Sequence, residues 1–89
     1  MKKFNFCGGT LSGIYGETIE DAVSKNSNKI IEQVLKISCE DVELVNICVM
    51  PVDYNTTCGD NYFNVVIFTL KAKYGDTREF NKTFSIIAN

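Results

Sequence analysis

Eighty-nine residues, 45% of them apolar and 22% charged, make one domain and leave no room for a second core. That balance excludes a disordered or fibrous chain. A formal net charge of −2, with no basic stripe to track a phosphate backbone, argues against nucleic acid as a partner.

Residues 3–7 alternate, with Phe4 and Phe6 on one side, and read as a short strand. Gly8, Gly9, Gly13 and Gly16 then read as a flexible connector. Thr18 is a good helix N-cap, with Asp21 three residues on to complete a capping box and Glu20 suited to the positive helix end. Ile19, Val23, Ile30, Val34 and Ile37 follow the helical period. The stretch Ser24 to Asn28 holds mostly poor helix formers, so the expectation is one helix with a weak or kinked centre, and a break in two is the lesser alternative.

Residues 42–54, 61–74 and 78–88 are rich in Val, Ile, Phe and Tyr and read as three strands. Gly75-Asp76 marks a tight hairpin between the last two. An odd-length loop keeps the apolar residues of both strands on one face. A three-residue loop (Gly75 to Thr77) would pair Phe68 with Phe84, Val66 with Ile86 and Ala72 with Phe80. The expected architecture is a single α+β domain over residues 1–89, with a short N-terminal strand and one helix packed on a three- to four-stranded antiparallel meander.

In that meander the even-numbered residues Tyr62, Val66, Phe68, Leu70 and Ala72 join Leu44, Cys48, Met50, Val52, Phe80, Phe84 and Ile86 as the floor under the helix. The odd-numbered set is apolar as well: Val45, Ile47, Val49, Phe63, Val65 and Ile67. One helix covers only one face of a sheet. At about 1.5–3 kcal/mol for each side chain fully buried, leaving all six in water forgoes on the order of 10 kcal/mol. Either the glycine-rich arm and the twisted sheet edges cover this second face, or another chain does, as a homodimer or in a complex with a protein target.

Catalytic chemistry is hard to assemble from these residues. The chain has no histidine, so a Cys–His or Ser–His nucleophile is excluded. Cys7, Cys39, Cys48 and Cys58 form no CxxC pair, and no metal site or cofactor is expected. Gly8 and Gly13 have the separation of a phosphate loop, but Ile14-Tyr15 stands where Lys-Ser/Thr is required. Met1-Lys2-Lys3 is followed by no apolar signal region, and no run approaches the ~18 apolar residues of a membrane helix. Free thiols then fit a reducing cytoplasm.

The order short strand, Gly8-Gly9, helix, antiparallel meander resembles the cystatins, inhibitors of papain-like proteases. The resemblance extends to Asn55-Thr56-Thr57-Cys58-Gly59 in the first hairpin, similar to the family's Gln-x-Val-x-Gly loop, and to Asp60-Asn61-Tyr62-Phe63 after it. It implies a cystatin-like fold and an inhibitory wedge made of Gly8, Gly9, Asn55, Thr56, Thr57, Cys58 and Gly59. Asn55 stands where the family has Gln, and Thr57 where it has Val. The functional expectation is a non-catalytic module that binds and modulates another protein, in the manner of a phage accessory or anti-defence (anti-CRISPR-like) inhibitor. A cystatin-type protease inhibitor and a small homo-oligomer that holds a ligand between subunits are the alternatives.

Overall fold

Phe4 and Phe6 are both buried, as their alternation requires, but the sheet they enter is larger than a meander. A computed structural model describes residues 1–7, 11–56 and 59–87, and only the backbone at 53–56 and 59–62. Among the described residues the chain forms β1 (Lys2–Phe6), β2 (Ile14–Gly16), α1 (Ile19–Lys25), α2 (Ser27–Gln33), β3 (Val42–Thr56), β4 (Gly59–Ala72) and β5 (Glu79–Ile87). The strands lie in the order β2-β1-β5-β4-β3, every neighbouring pair antiparallel. This corrects the expected architecture. The protein is mostly sheet, a five-stranded antiparallel half-barrel with two short helices, not one helix on a three- to four-stranded meander.

Two local causes produce the difference. The segment expected to be a glycine connector contains β2, whose Ile14 and Gly16 face inward while Tyr15 faces out. β2 pairs with β1 through Lys2 and Gly16, Lys3 and Tyr15, and Phe4 and Ile14. Three residues are too few for a periodicity signal, and the glycines at 13 and 16 mask it further.

The second cause is Asn26, which divides the helical stretch. Its backbone sits at φ −113° and ψ 20°, outside the helical well, and its side-chain amide donates to the Ala22 carbonyl at 2.8 Å. An Asn that satisfies a terminal carbonyl in this way competes with helix continuation. The start of α1 is as the sequence indicates: Thr18 Oγ1 accepts from the Asp21 N–H at 3.1 Å. The Asp21 carboxylate reaches back to the Glu17 N–H at 3.2 Å. α2 ends at Gln33, short of Ile37. The Ile30 carbonyl accepts from Val34 and Leu35, the Ile31 carbonyl accepts from Ile37, and Lys36 reverses the chain at φ 60°.

The core lies between the helices and the concave face of the sheet. It comprises Phe4, Phe6, Ile14, Ala22, Val23, Ile30, Ile31, Val42, Val66, Phe68, Leu70 and Ile86. Phe84 joins it edge-on, with its ring 5.1 Å from that of Phe68 and 5.7 Å from that of Phe6. α1 touches both β2 and β3, the two outermost strands. A single seven-residue helix can span both edges only because the sheet curls around it.

The register between β4 and β5 keeps the expected parity but not the expected loop. Val66 lies opposite Phe84, Asn64 opposite Ile86 and Leu70 opposite Phe80, so the odd-length connection is kept and shifted by two residues. The last pair is Lys71 with Glu79, enclosing residues 72–78 in place of the three-residue loop. The longer turn has its own ties: Asp76 accepts from the Arg78 N–H at 3.1 Å and pairs with its guanidinium at 2.7 Å. The Lys73 N–H meets the Asp41 carbonyl at 2.9 Å, anchoring the end of β4 to the start of β3. Among the described residues no helix is long and apolar enough to cross a membrane.

Candidate functional site

β4 alternates strictly between faces: Asn64, Val66, Phe68 and Leu70 are buried, while Phe63, Val65, Ile67 and Thr69 are half-buried on the convex side. What lies beside them on β3 depends on one irregularity. Leu44 pairs with Leu70, but the next pair is Asn46 with Thr69, so Val45 is a bulged extra residue. A bulge changes which side chains point to which face for the rest of the strand. Beyond it Ile47 lies opposite Phe68 and Val49 opposite Val66, and both pack on the core. Cys48, Met50 and Val52 lie opposite Ile67, Val65 and Phe63, on the convex face.

The six residues expected to form the second apolar face are therefore divided. Phe63, Val65 and Ile67 share the convex face, Ile47 and Val49 belong to the concave one, and Val45 is exposed at the bulge. Cys48, Met50 and Val52, expected in the floor under the helix, take the vacated places outside. Ile87 of β5, opposite Phe63, extends the face toward β1. Its presence was open to sequence reasoning, because any even pairing sum puts Ile87 on the same face as Phe63.

Cross-strand rows on this face grade from charged to apolar. Glu43, Lys71 and Glu79 form the row nearest the β4–β5 turn. Asn46, Thr69 and Asn81 follow, with the Thr69 hydroxyl donating to Asn81 Oδ1 at 2.9 Å. Next come Cys48, Ile67 and Thr83, then Met50, Val65 and Ser85, and last Val52, Phe63 and Ile87. Four consecutive rows thus carry no ionisable group other than the Cys48 thiol, in a chain that is 22% charged. Met50 is 44% exposed and Ile87 41% exposed, and neither belongs to the core.

Beyond Val52 and Phe63 the β3–β4 ladder continues as an arm toward the hairpin tip. Asp53 pairs with Tyr62, Tyr54 with Asn61, Asn55 with Asp60 and Thr56 with Gly59. The chain measures 46 Å along its longest principal axis and 26 and 19 Å along the others. Of the residues expected to form an inhibitory wedge, Asn55, Thr56 and Gly59 lie on the arm's backbone. Gly8, Gly9, Thr57 and Cys58 lie outside the described residues.

The ion pairs Lys25–Asp21 and Arg78–Asp76 lie away from the four uncharged rows. Asp21 is held below the usual carboxylate range, first by the Glu17 N–H and then by Lys25, whose ammonium is 3.2 Å away. The Arg78 guanidinium, and then its backbone N–H, hold Asp76 low in the same way. Cys39 donates to the Asn28 carbonyl at 3.2 Å. Desolvation, then the Glu32 carboxylate, push its thiol up, which disfavours the nucleophilic thiolate. Among the described residues no three His, Cys, Asp or Glu side chains converge as metal ligands, and no pocket forms. No protein-family model, curated protein or solved structure matches the chain.

Proposed function

We propose that this protein is a non-catalytic binding module whose working surface is the convex face of β3, β4 and β5. The observation that carries the reading is the run of four uncharged rows from Asn46 to Ile87, with apolar side chains left in water on the side opposite the helices. Contiguous apolar surface of this kind marks interaction sites in soluble proteins. Its convex form suits a protein surface better than a small ligand, which needs a concavity. The chain's lack of histidine agrees with a role in binding. The narrower expectations, an anti-defence inhibitor or a cystatin-type protease inhibitor, rest on composition and resemblance, and the convex face adds nothing to either.

The test compares wild-type protein with Val65→Arg, both confirmed as folded by circular dichroism, as baits for proteins of the source organism. The reading expects at least one stoichiometric partner retained by wild type and lost by the variant, or self-association lost in the same way. Identical behaviour of the two baits in both assays would overturn it.

A further inference from the structure

Pro51 is the chain's one proline, and it sits inside the ladder of β3, opposite Asn64. We infer that Pro51 sets the β3–β4 register past Val45, and so decides which β3 side chains reach the convex face. The assignment holds whatever that face binds.

Successive residues of a strand direct their N–H and C=O groups alternately to the neighbours on either side. Two hydrogen bonds at opposite sides of the sheet fix that alternation for β4. The Lys73 N–H donates to the Asp41 carbonyl at 2.9 Å, so odd-numbered residues of β4 turn their polar backbone toward β3. Across the sheet, the Cys7 N–H donates to the Ser85 carbonyl at 3.0 Å, so Ser85 faces β1. Its neighbours Phe84 and Ile86 then face β4, and their partners Val66 and Asn64 turn their backbone away from β3. Both bonds give one answer. The backbone of β3 is hydrogen-bonded at Phe63, Val65 and Ile67, and not at Asn64 or Val66.

Opposite Asn64, Pro51 therefore turns its nitrogen to the side away from β4, where no strand lies among the described residues. A residue with no N–H costs the ladder nothing there. Met50 and Val52, opposite Val65 and Phe63, supply the bonds on either side. Without the Val45 bulge, the pairing of Leu44 with Leu70 would run on unshifted and bring Pro51 opposite Phe63. The Phe63 carbonyl needs a donor at that place. Pro51 has none, and its ring would fill the gap that the hydrogen bond occupies. The bulge shifts the ladder by one residue, and Pro51 makes the unshifted ladder lose a rung.

Proton NMR on the full chain tests the inference. The α-protons of facing residues approach closely only across pairs without hydrogen bonds, whose Cα atoms stand about 4.5 Å apart against about 5.5 Å in bonded pairs. Wild type is expected to show α-proton contacts of Val49 with Val66 and of Pro51 with Asn64. The unshifted register would replace them with Cys48 to Val66 and Met50 to Asn64. Pro51→Val is expected to show both sets. Adding Val52→Pro to it should exchange the first set for the second, because a proline at position 52 meets Phe63 in the present register and Tyr62 in the unshifted one. The second set in wild type, its absence from Pro51→Val, or its absence from a folded double variant would each overturn the inference. If circular dichroism shows that the double variant does not fold, Pro51→Val alone decides.

Discussion

A β-carbon placed on Gly16 would stand 2.5 Å from the backbone nitrogen of Ala22 and 2.7 Å from its Cα. β2 and the first turn of α1 thus touch backbone to backbone, and only glycine permits it. Gly16→Ala forces the helix away from the sheet edge or strains β2, with an expected loss of about 1–3 kcal/mol. In a domain whose total stability is of order 5–15 kcal/mol, urea titration should show an earlier midpoint with little change in slope. An unchanged midpoint would mean that α1 does not rest on β2.

The two faces of β4 should respond differently to substitution. Phe68 is fully buried and meets Phe84 edge-on, so Phe68→Ala is expected to cost about 3–5 kcal/mol. Val65→Thr, one strand position from Val66 but on the convex side, should change monomer stability by no more than about 0.5 kcal/mol. Chemical denaturation of both variants at low protein concentration checks the contrast. Similar losses would mean that the convex face is covered by the chain itself.

Acid should loosen the start of α1 at an unusually low pH. Asp21 is held below its ordinary 3.8 by the Glu17 N–H and by Lys25. A depressed carboxylate contributes stability that is complete above the unfolded pKa and is lost as pH falls through the folded one. Amide shifts of Glu17 and Asp21, followed by NMR, should therefore move together with a midpoint below 3.8. Asp21→Asn should abolish that step, and a midpoint at or above 3.8 would contradict the geometry.

Thiol reactivity should follow exposure and local charge. Cys7 and Cys48 are exposed, whereas Cys39 is part-buried, hydrogen-bonded to Asn28 and beside Glu32. Alkylation near pH 8, read by peptide mass spectrometry, should label Cys39 more slowly than Cys7 and Cys48. Equal rates for the three would refute this placement of Cys39.

Much of the element pattern was legible in the residues. The Thr18 cap, the Phe4–Phe6 alternation, the three long strands and the even parity of the β4–β5 pairing all follow from local rules, and the structure has each of them. β2 was not legible, because three residues carry no periodicity and the close approach of Gly16 to Ala22 reads locally only as another glycine. The helix break lay within reach, since Asn26 sits amid poor helix formers and its side chain can cap the Ala22 carbonyl. On the convex face, the β4 half was readable from alternation. The β3 half was not, because nothing local distinguishes Val45 from its apolar neighbours as the residue that drops out of the ladder.

That single unpaired valine leaves the chain with a choice built into it. Past position 45, β3 offers two greasy stripes of nearly equal size, Ile47 with Val49 and Cys48 with Met50 and Val52, and either would suit a hydrophobic interior. Straightening the kink would turn this part of the strand inside out like a sleeve, sending Met50 to the core and Val49 to water. One residue's slip is all that separates the two arrangements, so Val45 works as the frame marker for the outer half of the β3–β4 hairpin.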